Sequence, residues 1–167
     1  FNNDTSTFSL YVIGSDDHRT LARQALRKSL LLLKNDYNLL PLNADVSSIY
    51  VAGKAADDMG LQCGGWTTEW QGESGDVQVG TTILEALQTA VSSSTEIVYN
   101  PAGTFDGTAE IGIAVIGEQP YAEGVGDASS LSLAQEDVQA ITNLRAHSQK
   151  LVVILISGRP LVITDQY

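Results

Sequence analysis

Two stretches concentrate the side chains able to do chemistry. The first reads AADDMGLQCGGWTTEWQG, residues 55–72, and sets Trp66 and Trp70 four positions apart beyond a Gly64-Gly65 pair. The glycines permit a sharp backbone turn. An indole face offers apolar and CH–π contact to a sugar ring while its N–H remains a donor. The competing reading is that both rings merely cover the end of a sheet. Trp70, set among Thr68, Glu69, Gln71 and Gly72, suits a binding role better than Trp66. The second stretch, GEQPYAEGVGD at 117–127, offers Glu118, Glu123 and Asp127 among glycines and one proline. A carboxyl group serves as general acid when it is kept protonated and aimed at a leaving oxygen. Taken singly, a loop glutamate is more often just solvated. Glu118, directly after an apolar run, is expected to bond backbone groups at a strand end.

Other chemistries find less support. Asp57-Asp58 would suit Mg²⁺, but a third matching carboxylate is missing from this glycine-rich context. Cys63 is the only cysteine, which excludes an internal disulfide and a CxxC metal site. A thiol nucleophile would need His18 or His147, and both fall in helical stretches. Neither GxGxxG nor GxxxxGK[ST] follows any strand-like run, so a nucleotide-binding module is disfavoured. Charge narrows the ligands further. Residues 1–54 carry six basic and five acidic groups, whereas residues 55–167 carry three basic and fifteen acidic, and the chain totals −11. Nucleic acid and anionic membrane surfaces call for clustered Lys and Arg, leaving neutral or cationic small ligands. No apolar run approaches the roughly 20 residues that span a bilayer.

The elements that must position these loops follow from periodicity. Continuous apolar runs at Ser48–Gly53, Ile111–Gly117 and Leu151–Gly158 read as strands buried on both faces, with Glu96–Tyr99 a shorter fourth. Asp17 to Lys34 reads as a helix with acidic residues at its start and basic ones near its end. Its leucines spill onto more than one face, which implies more than one neighbour. Thr82-Ile-Leu-Glu85 is a capping box opening a helix to about Val91, and Ser132-Leu-Ala-Gln135 is predicted to open another ending near His147. Strand alternating with helix predicts an α/β fold, a three-layer α/β/α sandwich around a mostly parallel sheet. The long segments Lys54–Val79 and Glu118–Leu131 both follow predicted strands. Ligands of open α/β sheets bind beyond the carboxyl ends of strands, so these loops are the expected site. Residues 1–15, rich in Asn, Ser and Thr, read as an interdomain linker, with the α/β domain at 16–167.

Five ordered motifs now carry a resemblance. HRTLARQALRKSLLLLKN (18–35) with LPL (40–42), QCGGWTTEWQG (62–72), GTTILEAL (80–87), IGEQPYAEGVGD (116–127) and SGRPLVI (157–163) resemble the second, α/β domain of family 3 glycoside hydrolases. The wording is most similar to the β-D-glucan exohydrolase and β-glucosidase branch. The resemblance implies a retaining, exo-acting enzyme of extracellular or periplasmic location, acting on β-glucan oligosaccharides or β-glucosides without any cofactor. It implies that a preceding (β/α)8 barrel supplies the nucleophilic Asp. The α/β domain then supplies the acid/base glutamate, which maps onto Glu123, and a tryptophan walling the +1 sugar site. That tryptophan maps best onto Trp70, with Trp66 as the fallback. Retaining hydrolysis places two carboxyls about 5–5.5 Å apart around the glycosidic oxygen. No barrel precedes Phe1, and the family's domain ordinarily continues past SGRPLVI with another strand. The chain is therefore expected to be a truncated piece, inactive alone and open to self-association through an exposed sheet edge. The alternative is a carbohydrate-binding or scaffolding module that kept the fold without catalysis.

Overall fold

The computed structural model describes residues 12–166. They fall into two compact units, one ending at Leu42 and one beginning at Asn43. The predicted linker, residues 1–15, lies largely outside the described residues. In the first unit, α1 spans Asp16–Ser29, with Ser15 at its N-cap and Arg27 and Lys28 in its last turn. The expectation of a helix to Lys34 is corrected: the chain turns extended at Leu30, whose N–H makes the last bond, to Leu26. None of the α1 side chains is buried within the unit. Packing is what usually prolongs a helix beyond its intrinsic propensity, and among the described residues Leu30, Leu31, Leu32 and Leu33 are exposed.

The second unit is the predicted α/β fold. Four parallel strands, β1 (Ser48–Ala52), β2 (Glu96–Tyr99), β3 (Ala109–Gly117) and β4 (Ser148–Ile156), are ordered β2-β1-β3-β4. β3 lies inside the sheet and is buried almost throughout, as its unbroken apolar run requires. Successive side chains alternate between the sheet faces. Ala52, Ala114 and Ile116 pack with Ile141 and Leu144 of α4 (Gln135–Ala146). Ile49, Val51, Ile113 and Val115, on the other face, are equally closed to solvent. Gly112 is needed here, because a Cβ would lie 2.7–3.0 Å from Ser148 and Leu144. Among the described residues β4 pairs only with β3, and its apolar run is partly exposed at this edge.

Two helix starts tell different stories. At α3 (Ile83–Ala90) the capping box forms as predicted: the Glu85 N–H donates to Thr82 Oγ1 at 3.2 Å, and the Thr82 N–H donates to Glu85 Oε2 at 2.8 Å. At α4 the box predicted from Ser132 and Gln135 is absent. Ser132 is held instead in a lone parallel bridge with Val162, and the helix starts after Ala134, without a side-chain cap. Glu136 and Asp137 in its first turn still oppose the positive end of the helix dipole.

Candidate active site

Because β1 and β3 are adjacent and parallel, the two long loops leave the same end of the sheet side by side. The first loop is not shapeless, as the sequence left it. Gly53, at φ 89°, turns into a short 3-10 segment, Lys54–Asp57, which leads to α2 (Met59–Cys63). Asp58 caps α2 by accepting from the Leu61 N–H at 2.8 Å, and it also accepts from the Gly75 N–H at 2.8 Å and from the Ser74 hydroxyl. Burial pushes the Asp58 carboxyl up, but these bonds outweigh it and hold the group below its ordinary range. Asp57 accepts from Thr82 Oγ1 at 3.0 Å. The acidic pair is thus accounted for by local structure. Among the described residues, no group of three His, Cys, Asp or Glu side chains is placed to hold a metal ion.

Beyond α2 the chain turns through Gly64, at φ 73°, to Trp66, itself left-handed at φ 59°. The Trp66 N–H donates to the Trp70 carbonyl at 2.9 Å, and the rings meet edge to face with centroids 5.9 Å apart. Both rings keep much of their surface open: Trp66 is 67% exposed and Trp70 48%. The same loop lines a hollow of about 310 Å³ with Thr67, Thr68, Glu69, Glu73, Val77 and Gln78.

The two loops interlock through their backbones. A Cβ on Gly65 would lie 2.0 Å from the Tyr121 carbonyl oxygen, and one on Gly72 would lie 2.6 Å from Pro120 Cβ. Gln71 spans the seam, its Oε1 accepting the Ala122 N–H at 2.8 Å while its buried Nε2 finds no partner among the described residues. The residue after Ala122 is Glu123, which opens a 3-10 turn, Glu123–Gly126, at φ 50°. Its side chain is exposed, and no hydrogen bond or ion pair to its carboxylate occurs among the described residues. A glutamate rarely takes a left-handed backbone, and such positions persist where surrounding structure imposes them. Asp127, also exposed, closes the turn with its N–H on the Gly124 carbonyl at 3.1 Å.

Glu118 differs from the expectation that it bonds backbone. Its carboxylate accepts from Tyr121 Oη at 2.9 Å, Ser157 Oγ at 2.5 Å and Arg159 Nε at 3.0 Å, and Arg159 Nη2 lies 3.0 Å away. Burial pushes the carboxyl up, yet the donors prevail and hold it below the ordinary carboxylate range. The Arg159 guanidinium also lies over the Tyr121 ring, 4.4 Å from its centroid. Tyr121, Arg159, Ser157 and Gln71 escaped the sequence reading as site-building residues. Their partners lie up to 51 positions away, although all four fall in the quoted motifs: Gln71 in QCGGWTTEWQG, Tyr121 in IGEQPYAEGVGD, and Ser157 and Arg159 in SGRPLVI after β4. A reactive thiol finds no support: Cys63 is exposed, and the His147 ring engages the Gly107 carbonyl through Nδ1 at 2.8 Å.

Two interlocked loops thus lie beyond adjacent strands of a parallel sheet, at the end where ligands of open α/β sheets bind, and they present two indoles and the Glu123 carboxylate. Residues 30–166 match the model of the glycosyl hydrolase family 3 C-terminal domain, and the chain belongs to this family. It is similar to the exo-1,3/1,4-β-glucanase of a Pseudoalteromonas species, with 39% identity and a TM-score of 0.81 over 92% of this chain and 20% of that one. The lysosomal β-glucosidase of Dictyostelium discoideum is 29% identical over 90% of this chain and 21% of its own length. The periplasmic β-glucosidase of Salmonella typhimurium is 27% identical over 89% of this chain and 23% of its own. The chain thus spans about a fifth of the length of these relatives.

Proposed function

We propose that the chain is the acid/base-bearing domain of a retaining, exo-acting β-glucosidase or β-glucan glucohydrolase. In this reading the nucleophilic Asp stands on a (β/α)8 barrel that faces the carboxyl end of the sheet. Glu123 protonates the glycosidic oxygen, then takes a proton from the water that releases the covalent sugar. Trp70, or Trp66 beside it, walls the site of the leaving sugar. Substrates are β-glucosides or β-glucan oligosaccharides, no cofactor takes part, and the enzyme works outside the cytoplasm or in a lysosome-like lumen, as the names of its relatives suggest. The exposed β4 edge is open to a further strand, from the same protein or from a second copy. Without a nucleophile the domain forms no glycosyl-enzyme, and by itself it is inert toward aryl β-glucosides.

The observation that carries this reading is the position of Glu123: an exposed carboxylate in a left-handed turn, directly after Pro120, Tyr121 and Ala122, which lie against the tryptophan loop. Azide rescue tests it. In the full-length enzyme, Glu123→Ala removes protonation of the leaving group and activation of water, each typically worth about 10²–10⁴ in rate. Substrates with acidic leaving groups keep their first step, and azide, which needs no base, restores turnover and yields a β-glycosyl azide. Rescue of Asp127→Ala or Glu118→Ala in its place would move the assignment to that residue.

A further inference from the structure

We propose that Glu118, Tyr121 and Arg159 are positioning residues: their ion-paired cluster fixes the turn that carries Glu123 and thereby aims its carboxyl group. The proposal rests on the acid/base reading of Glu123. The Glu123 carboxylate has no bond of its own among the described residues, so its direction is set by the backbone on either side of it. One side chain, Tyr121, touches that backbone on both sides of Glu123. Tyr121 stands two residues before Glu123, and its ring lies against Gly126, three residues after. A Cβ on Gly126 would lie 2.3 Å from the ring, and one on Gly158 would lie 2.7 Å from Tyr121 Oη. The ring therefore closes the turn from both ends. It is held in turn by its hydroxyl on Glu118 and by the guanidinium of Arg159 over its face. Both Glu118 oxygens are engaged, Oε1 by Arg159 and Oε2 by Tyr121 and Ser157, which leaves the cluster little freedom to reorient. Charge-assisted bonds of this kind are the stronger ones, and a catalytic group displaced by about 1 Å can lose about 10²-fold in rate.

The test separates aim from stability by varying the leaving group in the full-length enzyme. An alkyl β-glucoside needs its leaving oxygen protonated, whereas 2,4-dinitrophenyl β-glucoside does not. Tyr121→Phe keeps the ring against Gly126 and removes the hydroxyl with its bond to Glu118 and its approach to Arg159. Arg159→Lys keeps the charge and removes the planar fork. Each variant is expected to lower kcat/KM for the alkyl glucoside by about 10-fold or more, with little change for the dinitrophenyl substrate. Equal losses on both substrates, or none on either, would overturn the positioning role. If Arg159→Lys fails to fold, Tyr121→Phe still decides. Glu123→Ala is the control: should it show no dependence on leaving group, the acid/base reading itself fails. Dependence in Glu123→Ala without it in the other two sinks the positioning proposal alone.

Discussion

The loop after β3 divides at Ala122 into a base and a tip. In the base, Glu118 and Tyr121 engage Ser157 and Arg159 beyond the neighbouring strand, and the Ala122 N–H is satisfied by Gln71. In the tip, Glu123, Gly124, Val125 and Asp127 are exposed, and only Gly126 is buried, under the Tyr121 ring. Both halves carry glutamates five residues apart, of the same chemistry and in the same loop. What separates them is donors. A carboxylate surrounded by donors stays ionised and fixes shape, whereas one that must exchange protons is best left without fixed partners.

Charge removal at each half should separate rate from stability. In the full-length enzyme, Glu123→Gln is expected to reduce turnover of alkyl glucosides by about 10²–10⁴, while stability changes by less than about 0.5 kcal/mol, as for an exposed side chain. Glu118→Gln should lower unfolding stability by about 1–2 kcal/mol, since hydrogen bonds to a charged group are lost at a partly screened site. Urea unfolding and steady-state kinetics on the two variants check both. A Glu123→Gln variant destabilised as much as Glu118→Gln would erase the division between base and tip.

Steric probes reach the same boundary without touching charge. Gly65→Ala drives a Cβ into the Tyr121 carbonyl, backbone against backbone, with no flexible side chain to yield. A loss of about 1–3 kcal/mol is expected for such overpacking. Gly124→Ala meets nothing nearer than Asp127 Oδ2 at 4.0 Å and should be tolerated. Thermal unfolding of the two variants compares seam with tip. A smaller effect follows at the indoles. Trp70→Ala should raise KM for disaccharides by about 1–3 kcal/mol in binding terms, the range of comparable aromatic stacking. Aryl glucosides, which bring their own aromatic group, should be less affected. A larger effect from Trp66→Ala would exchange the two roles.

The elements were legible in the sequence where the signal is local. Short apolar runs located all four strands, and the Thr82–Glu85 box located α3, because both depend on neighbours within a few residues. The loops' place beyond the strand ends was legible as well, since both long segments followed predicted strands. The base of the Glu123 turn was not. Glu118 bonds Arg159 across 41 positions and Gln71 bonds Ala122 across 51, and no period or spacing connects residues brought together only by strand order. Ser132 misled for a related reason. A serine three residues before a glutamine matches a cap, but a long-range bridge to Val162 had already engaged that segment. The leucines at 30–33 suggested more helix because composition reports propensity, whereas helix length also depends on burial.

The smallest expected effect is a difference in acid response between two buried or half-buried carboxylates. Glu118 is held below its ordinary value of 4.5: burial works against this, and the donors Ser157, Arg159 and Tyr121 prevail. A depressed carboxylate contributes stability above its unfolded value and loses it as pH falls through the lower folded one. The advantage of the wild type over Glu118→Gln should therefore be full at neutral pH and shrink below about pH 4.5. Asp137, in the first turn of α4, is only 3% exposed and behaves in the opposite sense. Burial pushes its carboxyl above the ordinary 3.8; nearby Lys54 and the Gly117 N–H oppose the rise, and Glu136 adds to it. A raised carboxylate costs stability wherever it is ionised in the fold, and the cost fades as pH falls through the raised value. Asp137→Asn keeps an acceptor for the Gly117 N–H and should be more stable than the wild type at neutral pH, with the gap closing on acidification. Urea midpoints of the wild type and both variants, taken from pH 7 down to pH 3, would show one gap of each sign, both narrowing. If Asp137→Asn is the less stable at pH 7, the Lys54 charge outweighs the cost of burial, and Asp137 belongs with Glu118 among the carboxylates that hold the fold.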